Sequence, residues 1–134
     1  MGGFYPLLCE EWDEKTSSDP EGWSPGTPSN GQCAVTALIT QDWFQGDIVR
    51  AYAVLVNGHK ISHYYNRIGG EDVDLTQTQF PESTHYEIRE CPPGFDTLRD
   101  YMLSDPNTRS RYELLRARVH ANWYQKMKVE TNTN

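Results

Sequence analysis

The run Ile48-Val49-Arg50-Ala51-Tyr52-Ala53-Val54-Leu55-Val56, then Asn57-Gly58, then His59-Lys60-Ile61-Ser62-His63-Tyr64-Tyr65-Asn66-Arg67-Ile68, then Gly69-Gly70 and Glu71-Asp72-Val73-Asp74-Leu75, decides the class of fold. Its first two segments are rich in β-branched and aromatic residues, which fit a pleated, half-buried surface. Asn-Gly between such runs is the strongest short-range hairpin signal, because both residues accept the positive φ of a tight turn. Gly69-Gly70 supplies a second turn of the same kind. The expectation is an antiparallel meander with strands over 48–56, 59–68 and 71–75.

Helical patterns flank the meander. Upstream, Val35, Leu38, Ile39 and Trp43 recur at the spacing of one helical face, over 33–44, and Gly46 supplies a stop. Leu7, Leu8 and Trp12 predict a short helix over 5–15. Between these two, residues 16–31 are Ser, Asp, Pro, Gly and Asn chemistry relieved only by Trp23. A loop that long in a small domain is disordered or functional, and because it runs directly into Cys33 we expect an ordered wall beside a site. Downstream, 76–81 reads as a capped helical turn ended by Pro81, and 84–89 as a further strand. From Phe95 the pattern is helical, with Leu98, Tyr101 and Met102 on the same face, a break at Asp105-Pro106-Asn107, and then Tyr112, Leu115, Val119, Trp123 and Met127 in steps of three or four. Residues 130–134 read as a polar tail. The resulting expectation is one α+β domain over 1–134, a cysteine-bearing helix packed on an antiparallel meander with added C-terminal helices.

With 134 residues and a formal net charge of -7, the chain is suited to one core and poorly suited to nucleic acid, since phosphate binding needs a basic footprint. Arg109, Arg111, Arg116 and Arg118 read as the solvated face of a helix. No apolar run approaches the roughly 20 residues of a bilayer span, so no membrane association is expected. Three cysteines, Cys9, Cys33 and Cys91, form no paired spacing, which points to a reducing, cytoplasmic setting. The absence of CxxC or HxxxH spacing argues for no metal, and nothing in the sequence implies a cofactor.

The chemistry centres on Gly31-Gln32-Cys33-Ala34-Val35-Thr36-Ala37-Leu38. A cysteine opening a helix meets unpaired N–H groups and a positive dipole end, both of which favour thiolate. Such a nucleophile needs a base, and the base needs a third group to orient it. His63 and Asp74 suit those roles, because the Gly69-Gly70 hairpin brings them to cross-strand or diagonal positions; Asp72 and Asn66 are the competing orienters. The plain alternative for Cys33 is a small buried hydrophobe. Tyr64, Tyr65, Trp23 and Trp43 are candidate walls of a cleft.

The order Cys, His, Asp on a helix and the following strands resembles the papain-like thiol superfamily. More closely, Pro28-Ser29-Asn30-Gly31-Gln32-Cys33-Ala34-Val35-Thr36-Ala37, Ser62-His63-Tyr64-Tyr65-Asn66-Arg67 and Val73-Asp74-Leu75-Thr76-Gln77 with Phe80 resemble the motifs of the small bacterial YunG-like family, over 25–80. The resemblance implies a papain-like fold with Cys33 as nucleophile, His63 as base and Asp74 as orienting acid. Papain-type enzymes place a glutamine several residues before the cysteine, whereas Gln32 is adjacent to it here. The expected oxyanion donors are therefore the Cys33 N–H and a side-chain amide from Asn30 or Gln32. The functional expectation is thiol-dependent acyl transfer on a peptide, protein or small amide, or on a thioester: a peptidase, amidase, deamidase or acyltransferase. The alternative, of a different class, is a noncatalytic peptide- or protein-binding module on the same fold.

Overall fold

A computed structural model describes residues 2–132. The turn chemistry of the meander sets its pairing. Strand β1 (Asp47–Val54) and strand β2 (Lys60–Ile68) run antiparallel from Asp47 opposite Arg67 to Val54 opposite Lys60. Their loop closes with Leu55 N–H donating to His59 O at 2.9 Å and Gly58 N–H to Leu55 O at 2.8 Å, with Gly58 at φ 85°. Asn57-Gly58 is thus the second half of a three-residue loop ending in a left-handed glycine, not a two-residue turn. Gly69 and Gly70, both at positive φ, do make the two-residue turn, and Ile68 pairs with Glu71 to begin strand β3 (Glu71–Val73). Strand β4 (His85–Arg89) pairs with the other side of β1, giving a curled four-stranded antiparallel sheet of order β3-β2-β1-β4.

Helix α1 (Phe4–Glu11), helix α2 (Cys33–Phe44), helix α3 (Leu98–Leu103) and helix α4 (Pro106–Asn132) complete a mixed α+β architecture. Helix α2 lies chiefly along β2, with α4 on its other side. It is therefore buried nearly all round: Val35, Thr36, Ala37, Leu38, Ile39 and Thr40 are all buried, more than the single apolar face the spacing predicts. The threonines tolerate this because Thr40 Oγ1 donates to Thr36 O at 2.7 Å and Thr36 Oγ1 accepts from Trp12 Nε1 at 3.1 Å. The main core joins Leu8, Trp12, Leu38, Ile39, Leu115 and Val119, while Val49, Ala51 and Tyr65 form a smaller cluster against Tyr86.

Three helical boundaries differ from the sequence reading. Helix α1 stops at Glu11, where Trp12 turns extended. Helix α3 begins only at Leu98, with Thr97 Oγ1 accepting from Asp100 N–H, and Phe95 stays outside the helix, 37% exposed. Helix α4 begins at Pro106, a position where the missing N–H costs nothing, and it continues to Asn132 through part of the expected polar tail; positions 133 and 134 lie outside the described residues. Its 27 residues span about 40 Å at 1.5 Å each, well past the layer formed by the 12-residue α2. Trp123 and Met127, placed on the buried face by their spacing, are consequently 41% and 45% exposed. No helix among the described residues is long and apolar enough to cross a membrane.

Candidate functional site

The loop before α2 is ordered by its own polar groups. Gly31 sits at φ 75°, and a Cβ there would lie 2.1 Å from Ser17 Oγ and 3.0 Å from the backbone nitrogens of Ser18 and Asp19. Only glycine fits this crossing, which Ser18 N–H closes by donating to Gly31 O at 2.9 Å. Gln32 is fully buried; its Oε1 accepts from Thr16 Oγ1 at 2.8 Å and its Nε2 donates to Asp13 O at 3.0 Å. Cys33 follows as the first residue of α2, half-buried and a free thiol. No side chain caps this N-terminus, so its first-turn N–H groups and positive dipole end are left at the thiol.

His63 comes from the middle of β2 and is fully buried. The register carries Val73 opposite Asn66, so the next position, Asp74, falls opposite Tyr65 and one diagonal step from His63. There His63 Nε2–H donates to Asp74 Oδ2 at 2.7 Å. Asp74 is held in turn by Thr76, whose N–H and hydroxyl donate to Oδ1 at 3.2 and 3.4 Å, and by the Tyr86 hydroxyl, which donates to Oδ2. Phe80 stands edge-on to the imidazole at 5.0 Å, and Tyr65 and Tyr86 flank it at 6.0 and 4.9 Å. With Nε2 occupied, Nδ1 is the ring's remaining polar atom, buried and without a hydrogen-bond partner. Burial opposes charge on His63, but its hydrogen bond to Asp74 and its favourable interactions with Asp74 and Cys33 outweigh burial and push its pKa up to about 9. Burial, joined by the Asp74 carboxylate, pushes the Tyr86 phenol well above its usual range and keeps it a donor.

The structure thus brings Cys33, His63 and Asp74 together, and gives the other candidates different work. Asp72 pairs with Arg67 at 2.8 Å on the surface. Asn66 is buried and donates to Ala37 O at 3.0 Å, tying β2 to α2. The Gln32 amide is engaged by residues 13–16, and Asn30 Nδ2 bonds Gly22 O at 3.2 Å, so both fix the loop. Trp23, half-buried, donates its indole N–H to Pro28 O at 2.9 Å and closes the loop on itself. Trp43 lies ten residues along α2, about 15 Å from Cys33, among Phe4, His120 and Trp123.

Two residues absent from the sequence reading complete the arrangement. Gln79 Nε2 donates to Thr76 Oγ1 at 3.0 Å while its Oε1 accepts from Gly31 N–H at 3.3 Å, so one side chain couples the acid's loop to the cysteine's loop. A second link joins Ser29 and Thr78 hydroxyls at 3.0 Å. The other residue is Tyr86, from β4. Gln79 carried a local signal in its position between Thr76 and Phe80; Tyr86 carried none, because β4 and β3 lie at opposite edges of the sheet and only its curl brings Tyr86 to Asp74.

The family profile described as YunG protein matches residues 2–124. A protein of Bacillus subtilis (strain 168), "Uncharacterized protein YunG", is 36% identical over 81 residues, covering 60% of this chain and 64% of the relative. The match therefore spans somewhat less than two thirds of that relative's length. No solved structure matches the chain.

Proposed function

The chain belongs to the YunG protein family, and from the geometry of its site we propose that it is a thiol-dependent acyl-transfer enzyme with papain-like topology. The observation that carries this reading is the imidazole of His63, anchored through Nε2 by Asp74 and left with a buried, unpartnered Nδ1 beside a cysteine at a helix N-terminus. An orphaned buried nitrogen costs stability unless something uses it. A thiol proton moving to and from Nδ1 is that use.

In the proposed reaction His63 already holds the proton of the pair at Nδ1 as an imidazolium, and the Sγ electron pair of the Cys33 thiolate attacks the carbonyl carbon of an amide or thioester. The carbonyl π electrons move to oxygen, and the oxyanion is received by the first-turn N–H groups of α2. Collapse re-forms the carbonyl and breaks the bond to the amine or thiol leaving group, which takes the proton from Nδ1. Water or an acceptor amine then attacks the thioester, giving its proton to Nδ1, and Cys33 leaves. Asp74 stays ionised throughout, stabilising the imidazolium and holding the ring. No metal or cofactor is required by this scheme. The papain-like placement is supported by chain order, since the helix N-terminus supplies the thiol and successive elements of the meander supply base and acid.

The test is alkylation of Cys33 by iodoacetamide as a function of pH, with Cys9 and Cys91 replaced by serine so that one thiol reports. Reaction at pH 6 at least about tenfold faster than an ordinary thiol, lost in His63→Ala, is the expected result. A plain titration near pH 8.5, unaltered by His63→Ala, would overturn the reading and leave a noncatalytic binding module on the same fold as the better account.

A further inference from the structure

The short segment 76–80 bears on all three members of the site. Thr76 donates to the Asp74 carboxylate through its N–H and its hydroxyl, and Phe80 stands edge-on to the His63 ring at 5.0 Å. Between them a single 3₁₀ turn (Gln77–Gln79) sends Thr78 and Gln79 to the loop that leads into Cys33. The turn is closed by Gln79 N–H donating to Thr76 O and Phe80 N–H to Gln77 O, both at 3.1 Å.

Gln79 is half-buried and uses both ends of its amide. Gly31 N–H can only donate, so Oε1 faces it at 3.3 Å, and Nε2 is left to donate to Thr76 Oγ1 at 3.0 Å. That donation has a consequence for the acid. A hydroxyl carries one proton, and with Gln79 supplying the donor on one side, the proton of the fully buried Thr76 is directed to Asp74 Oδ1. The same amide therefore fixes the carboxylate that steers His63 and the backbone two residues before the thiol. At neutral pH glutamate in its place would lack the donor, and methionine would lack both groups.

We infer that Gln79 is a positioning residue for the Cys33–His63 pair, setting the reactivity of the thiol through Thr76 and Asp74 on one side and through Gly31 on the other. This rests on the acyl-transfer reading and adds a residue beyond Cys33, His63 and Asp74 on which the reaction depends.

The experiment follows alkylation of Cys33 by iodoacetamide against pH in the full chain with Cys9→Ser and Cys91→Ser. Gln79→Met keeps the length of the side chain without its polar atoms. Its rate at pH 6 is expected to fall about three- to tenfold, the effect of losing one hydrogen bond's worth of placement, with the onset of reaction moved toward that of a plain thiol. Gln79→Glu is the conservative variant. Protonated, its carboxyl accepts from Gly31 N–H and donates to Thr76 as the amide does; ionised, it can only accept, and it adds a charge beside Asp74. Its rate relative to the wild type is therefore near one at the acid end and falls as pH rises through the carboxyl's titration, ordinarily at about 4.3 and raised by the neighbouring carboxylate. A role in stability alone would lower the urea midpoint of both variants and leave the profiles of the folded proteins on that of the wild type. Overlaid profiles of that kind, with reaction at pH 6 still fast and dependent on His63, overturn the Gln79 proposal alone. Should Gln79→Met lose its native circular dichroism, the Gln79→Glu ratio decides, a falling ratio supporting the proposal and a flat one overturning it. A wild type that titrates plainly near pH 8.5 overturns the acyl-transfer reading and this proposal with it.

Discussion

His63 keeps its proton to about pH 9, against 6.5 for an unperturbed imidazole, because its hydrogen bond to Asp74 and its interactions with Asp74 and Cys33 overcome the cost of burial. The folded state therefore binds a proton that the unfolded chain releases between those values, and the stability from this pair is full below pH 6.5 and lost as pH rises through 9. This difference corresponds to a stabilisation on the order of 3 kcal/mol. Urea unfolding of the wild type should thus weaken across that window, and Asp74→Asn should flatten the dependence, leaving the part that Cys33 supplies. A wild-type curve that is level from pH 6.5 to 9 would rule this coupling out. At the same scale, Tyr86→Phe removes a hydroxyl that donates to the Asp74 carboxylate while leaving the ring beside His63 and Phe80. It should cost about 1.5–3 kcal/mol, the range for a bond to a charged group, read as a lower urea midpoint; a change under about 0.5 kcal/mol would mean the bond carries no weight.

Among the elements, the loop over 16–31 and the N-terminus of α2 act as one piece, and Gly31 is where they cross. Gly31→Ala puts a methyl 2.1 Å from Ser17 Oγ and imposes φ 75° on an L residue, so it should destabilise by about 1–3 kcal/mol and slow Cys33 alkylation by displacing the helix start. Gly26→Ala is the control: its nearest neighbour, Ser24 Oγ, would be 3.7 Å away at a backbone angle open to alanine, and thermal unfolding should move by no more than about 0.5 kcal/mol. These elements were legible in the sequence to different depths. The meander, the cysteine helix and the Asp74 position follow from local turn chemistry and strand alternation, which fix register within a hairpin. Gln32 has the residue type of an oxyanion donor and the cysteine as its neighbour, but the fold of residues 13–16 back onto it, which engages its amide, has no local sequence signal. Tyr86 was invisible because its partner lies 12 residues away, just past the end of a different strand, with no pattern linking the two.

In the whole molecule the helices form a scaffold on one side of β2 and the polar network a device at its edge, and the two should separate under mutation. Leu115 is fully buried where α4 meets the core of Leu8, Leu38 and Ile39. Truncation to alanine leaves a cavity under both α1 and α2, so Leu115→Ala should cost about 2–5 kcal/mol. The ion pair that also joins α4 to α1, Lys126 with Glu10 at 3.1 Å, is half exposed on both sides, and Lys126→Ala should leave the urea midpoint nearly where it is. The informative measurement is the alkylation profile of these two variants below their unfolding transitions. Cys33 is placed by Gly31, Gln32 and Gln79, and His63 by Asp74, Tyr86 and Phe80, none of which touches α4 in the main core. Leu115→Ala should therefore unfold at markedly lower urea yet keep a His63-dependent Cys33 rate within about twofold of wild type while folded. A loss of Cys33 reactivity in the still-folded variant would instead show that the helical layer presses α2 into its working position, and would make α4 part of the site.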